Sequence, residues 1–102
     1  MDKTDSLLRA VLATVSRQVF PPDALAKLLI TGTGGKKQLA AYNLCNGETP
    51  QAEIGKRVGL DKGSLSRSMA RWVELGILFR VGANQLPLHI YPLPNDVKIK
   101  SK

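Results

Sequence analysis

The apolar residues of this chain recur at helical spacing through most of its length, and the polar and glycine positions between them punctuate it. From Thr4 to Phe20, residues Leu7, Leu8, Val11, Leu12, Val15 and Val19 form a broad stripe, with Asp5, Arg9, Arg17 and Gln18 among the polar positions. Pro21 and Pro22 stop this helix. A second, shorter helix is expected from Asp23 to Ile30, carrying Leu25, Leu28 and Leu29, until the glycine-rich run Thr31 to Gly35 breaks the chain. A third, from Lys36 to Cys45, is expected to bury Leu39, Ala40 and Leu44, with Tyr42 as a further candidate, and to stop at Asn46-Gly47.

Two more helices follow in close succession. In the first, Thr49 is the expected cap, Pro50 suits the first helical position, Ile54 and Val58 supply the buried face, and Gly59 ends it. Leu60 plugs the turn. In the second, Asp61 can accept from the unpaired N–H groups of the first turn, and Gly76 can take the left-handed conformation that closes a helix. Leu65, Met69, Trp72, Val73 and Gly76 share one arc, which predicts that this arc is buried. Two helices joined by a short turn containing glycine predict a helix-turn-helix.

The opposite face of that last helix carries Gly63, Ser64, Arg67, Ala70, Arg71 and Glu74, with Lys62 and Ser66 on its flanks. It is small at its first turn and basic beyond. A helix lying in a DNA major groove needs small residues for close approach, short hydroxyls and lysine for base edges, and arginine for guanine edges or phosphates. The plainer reading is a solvated charged face, and the helix taken alone does not separate the two. After it, Ile77 to Val81 and Leu88 to Leu93 read as strands joined by Gly82 to Pro87. A hairpin in that place is a wing, so the expected fold is mainly α with a small β-hairpin, α+β overall.

The segment from Lys36 to Leu93 resembles the winged helix-turn-helix DNA-binding superfamily, in the manner of MarR- or ArsR-type regulators. The resemblance rests on the run from Thr49 to Leu60, on Asp61-Lys-Gly-Ser-Leu-Ser-Arg67, and on the run from Arg71 to Leu78. It implies that Lys62, Gly63, Ser64, Ser66 and Arg67 meet bases or phosphates, and that Thr49 and Gln51 touch the DNA backbone. Three departures stand out. The long C-terminal dimerisation helix of MarR-like proteins is missing, so a dimer is expected to use Leu8, Val11, Leu12, Val15 and Val19 of the N-terminal helix. ArsR-like metal sites need a cluster of ligands, which Cys45 and His89 cannot make, so no metal and no cofactor are expected. The wing tip has no Lys or Arg, which leaves wing contact to Arg80 at its base and to Asn84 or Gln85.

Composition narrows the picture further. The chain of 102 residues fits one small domain, here 1–93, with N-terminal helices in 1–30, a winged-helix core in 36–93 and a basic tail in 94–102. Fifteen Lys plus Arg against eight Asp plus Glu give +7, which favours a polyanionic partner. No apolar run approaches the roughly 18 residues of a membrane span, and no signal-peptide pattern opens the chain. A cytoplasmic, nucleoid-associated protein is expected. Cys45 reads as a small core residue, Trp72 as core, and His89 as lying on the exposed side of an edge strand. With one histidine and scattered carboxylates no catalytic set can be assembled, and five aromatic residues give little platform for RNA. The expected function is therefore sequence-specific binding of double-stranded DNA by a homodimer that regulates transcription. Two alternatives remain: a plasmid-partition centromere binder, and a winged-helix module that docks protein and not DNA.

Overall fold

The computed structural model describes residues 3–30 and 35–94. Most of the glycine turn expected at Thr31 to Gly35, and all of the expected tail beyond Pro94, fall outside them. Among the described residues the order is α1 (Lys3–Val19), α2 (Pro22–Leu29), α3 (Gly35–Asn43), α4 (Gln51–Val58), α5 (Lys62–Glu74), β1 (Leu78–Val81) and β2 (Leu86–His89). The result is mainly helical with one two-stranded antiparallel hairpin. No helix among the described residues is long and apolar enough to cross a membrane.

The helix ends show why the sequence divides as it does. Pro22 sits in the first turn of α2, where its missing N–H leaves nothing unpaired. Asp61 caps α5, its Oδ1 accepting the Ser64 N–H at 3.0 Å. At the other end Gly76, at φ +80°, donates to Val73 O while Ile77 donates to Trp72 O. This Schellman closure plants Ile77, which is fully buried, beneath the helix it ends. Between α4 and α5 lie only Gly59, Leu60 and Asp61. Gly59 takes φ 73° and ψ 33°, and Gly55 lets α4 approach closely, since a Cβ there would lie 3.2 Å from Leu65 and 3.3 Å from Leu60 O.

Thr49 departs from its expected place. Asn46 Oδ1 accepts from the N–H groups of Glu48 and Thr49 and from the Thr49 hydroxyl, at 2.8, 3.0 and 3.1 Å. That side-chain turn draws Thr49 inward, so Pro50 takes the N-cap of α4 and Gln51 becomes its first residue. Within α3 the buried residues are Gly35, Leu39, Ala41 and Tyr42, while Ala40, and Leu44 just past its end, are only half-buried. Val73, at the margin of the expected arc on α5, remains 40% exposed.

The hairpin is shorter than its apolar runs suggested. Gln85 donates to Gly82 O across a four-residue turn, so pairing begins at Val81 with Leu86 and ends at Leu78 with His89. Residues 90–93 leave the ladder: Ile90 donates to Ile77 O, and Leu93 donates its N–H to Asn43 Oδ1. The outer edge of β2 is occupied as well. Gly47 donates to Pro87 O and His89 to Cys45 O, giving a bridge between Asn46 and Leu88. His89 is therefore half-buried and not on an open edge, with its Nδ1–H donating to Tyr42 O at 2.9 Å.

One core gathers Leu25, Leu29, Leu39, Tyr42, Ile54, Leu65, Met69, Trp72 and Ile77, with Cys45 also fully buried as a small core residue. Helix α1 lies across this core with two unlike faces. Leu12, Ala13 and Phe20 pack inward, Arg9 donates to Asn46 O at 2.9 Å, and Arg17 lies 4.7 Å over the Tyr91 ring. Leu7, Leu8, Val11, Val15 and Val19 face outward, each more than half exposed.

Two outcomes follow from these contacts. Alanine at 59 would hold a Cβ in the left-handed region at about 1–2 kcal/mol, so Gly59→Ala should lower the melting midpoint by several degrees. An unchanged midpoint would mean that the turn does not need that conformation. Burial pushes the His89 pKa below its ordinary 6.5. As pH falls through 6.5 the unfolded chain binds a proton that the folded one refuses, so stability declines toward acid. Melting curves between about pH 7 and about pH 5 should show this decline, and His89→Asn should flatten it. An equally steep decline in the variant would exonerate His89.

Candidate nucleic-acid interface

The outer face of α5 begins at a firmly held corner. Two contacts from Ser64, first its hydroxyl and then its N–H, keep the Asp61 carboxyl below the usual carboxylate range, so the cap stays ionised. Lys62, Gly63, Ser66, Arg67 and Ala70 are all exposed, and Ser64 is half-buried. Gly63 keeps the surface low. A Cβ added there would meet only the Arg67 guanidinium, at 3.3 Å. Arg67 leans back along the helix and donates to Ser64 Oγ at 3.3 Å, a long contact that a better acceptor could replace.

Arg71 is employed differently from its neighbours. Its guanidinium donates to Leu28 O and Leu29 O at 3.2 and 3.1 Å, satisfying the carbonyls that end α2. The reason is its angle on the helix, about 40° round from Arg67 toward the α2 side. It therefore docks α5 onto α2, and its charge is set against the negative end of that helix. Thr49 is turned inward to Asn46 and is 9% exposed, which takes it off the surface where contact with DNA backbone was expected.

On the other flank Ser66 and the two remaining expected residues, Gln51 and Arg80, form one chain of hydrogen bonds. Arg80 Nη2 donates to Gln51 Oε1 at 2.8 Å, and Gln51 Nε2 donates to Ser66 Oγ at 3.0 Å. The chain joins β1 near the hairpin turn, the first residue of α4 and the second turn of α5. A cleft of about 440 Å³ adjoins it, with Ala52, Gly55, Leu60 and Leu65 as apolar lining and Gln51, Lys56 and Lys62 as polar lining. Of the nearby cations, Arg57 pairs with Glu53 at 2.9 Å on the same helix, and Lys37 donates to Gly59 O at 3.2 Å. Lys56, Lys62 and Arg67 are exposed positive groups that border the outer face of α5.

Three further features were not visible in the local sequence: the Arg71 dock, the Arg80–Gln51–Ser66 chain, and a second cavity of about 220 Å³ beneath α1, lined by Arg9, Leu12, Asn46 and Leu88 to Pro92. Each joins residues at least 15 positions apart. No spacing rule reaches so far. Elsewhere, burial pushes the Cys45 thiol up to about 12, which keeps it protonated. Among the described residues no group of three or more His, Cys, Asp or Glu could hold a metal ion. Compared with models of protein families, with curated proteins and with solved structures, the chain matches none.

Proposed function

We propose that this protein is a winged helix-turn-helix that binds double-stranded DNA sequence-specifically, acting as a homodimer to regulate transcription. The observation that carries the reading is the outer face of α5. It starts at an ionised cap, is small for its first turn, continues into Arg67, and is left uncovered by the rest of the domain. In this role α5 enters the major groove and Gly63 allows close approach. Lys62, Ser64, Ser66 and Arg67 meet base edges or nearby phosphates. Helix α4 braces α5 from behind, and the hairpin flanks the groove with an uncharged tip. Binding, and no catalytic step, is the proposed activity, with no cofactor. The cytoplasm, on the nucleoid, is the place such an activity requires.

The outward stripe of α1 supports the dimer. Leu8, Val11, Val15 and Val19 lie within one arc that contains no charged residue, so two such helices can face each other without burying an unpaired ion. Leu12, expected in the same interface, belongs to the domain's own interior. A two-fold pair would present two α5 helices to successive major grooves about 10 base pairs apart. A second reading, docking of a protein partner, is favoured by exposed Val73, Leu75 and Phe79 near the end of α5 and on β1.

Anisotropy against genomic-library duplexes across a salt series separates these readings. The DNA reading expects a recoverable site whose affinity falls steeply with salt, and Arg67→Ala should weaken binding to it by about 1–3 kcal/mol. Equal affinity of wild type and variant would strike Arg67 from the contacts. For the dimer, Val11→Lys with Val15→Lys should yield a folded monomer by sedimentation, because both positions are already half-exposed. A persisting dimer would place the interface elsewhere.

A further inference from the structure

The chain of hydrogen bonds on the α4 side of α5 has a direction, and the direction has a chemical consequence. An arginine guanidinium carries donors only, so the amide of Gln51 must turn its oxygen to Arg80. That leaves the amide NH2 facing Ser66, whose hydroxyl oxygen accepts. A hydroxyl that accepts in this way still holds one hydrogen, and it must donate elsewhere. Thr14 on α1 shows the usual internal outlet, giving its hydrogen to Ala10 O one turn back at 2.8 Å. Among the described residues Ser66 has no such acceptor, and it is exposed.

We propose that Gln51 and Arg80 are positioning residues that fix Ser66 as an outward-pointing hydrogen-bond donor, matched to an acceptor on duplex DNA. This rests on the DNA-binding reading above and assigns one part of its specificity. Two acceptors share the chemistry: a purine ring N7 on a base edge in the major groove, and a phosphate oxygen. A cytosine amino group, itself a donor, would leave the Ser66 hydrogen without an acceptor. Arg80, expected to make the wing contact, acts through Gln51. The arrangement also ties the hairpin to α4 and α5 close to its turn, because Arg80 lies in β1 opposite Pro87. A donor already held in place loses little conformational freedom on binding.

The test uses the full chain and its recovered site, with Ser66→Ala, Gln51→Glu and the double variant. Glutamate still accepts from Arg80 but offers no donor, so the Ser66 hydrogen turns inward to it and its contact with DNA is lost. Ser66→Ala should weaken binding about three- to tenfold, the scale of one net hydrogen bond. The double variant should bind no more weakly than Gln51→Glu alone. Duplexes carrying a 7-deazapurine or a methylphosphonate at single positions identify the acceptor. Wild type should lose affinity at one such position where both single variants lose none: a 7-deaza position supports base readout, a methylphosphonate position supports phosphate. Additive losses, with every positional penalty kept in Gln51→Glu, would overturn the positioning role and leave DNA binding standing. Failure of the wild type to bind any duplex at low salt would overturn both.

Discussion

Tyr42 is the side chain through which the helical and hairpin halves of this fold are joined. It is wholly buried, and its ring meets Trp72 of α5 edge-on, with centroids 5.5 Å apart at 87°. Its hydroxyl donates to Ile77 O at 3.0 Å, where the chain leaves α5 for β1, and its own carbonyl receives His89 from β2. Burial drives the phenol pKa upward, so the hydroxyl remains a donor at any ordinary pH. One residue of α3 thus fixes the tilt of α5, the start of the hairpin and its far end. The outer face of α5 stands where it does because Leu65, Met69 and Trp72 of its inner face are buried in the core.

Charge counting at the level of sequence overstated what the surface offers. From Lys56 to Arg80 the chain shows six cations against Asp61 and Glu74. The folded domain assigns several of them internal duties. Arg71 closes α2, Arg80 holds Gln51, and Arg57 pairs with Glu53 on an exposed helix face, where such a pair contributes little. What remains exposed beside the small first turn of α5 is a narrower set, Lys56, Lys62 and Arg67.

The helices were legible because their signals are local. Asp61, Gly59, Gly76 and the Leu65–Met69–Trp72 arc each act within a turn or two of chain, and the structure uses them as the sequence suggested. The misreadings share a different cause. Thr49 lost its cap to the competing Asn46 carboxamide, and His89 gained cover from the Asn46 bridge. Arg71 found carbonyls on a helix more than 40 residues earlier. The strand ends shifted because the turn from Gly82 to Gln85 fixes where pairing starts, whatever apolar run follows. Distant partners decided His89 and Arg71, local side-chain and turn hydrogen bonds decided Thr49 and the strand ends, and periodicity holds no information about either kind.

Helix α1 is a rigid rod of 17 residues whose two sides answer to different surroundings. Its inner side grips the segment around Asn46 and Tyr91, and its outer side is an apolar strip left in water. Covering that strip would remove apolar area from water and add to the domain's stability. If a second copy provides the cover, folding and association obey a single mass-action law, and the melting temperature rises with protein concentration. The domain would then be least stable when scarce and would strengthen as it accumulates, which makes its abundance a control on its own persistence.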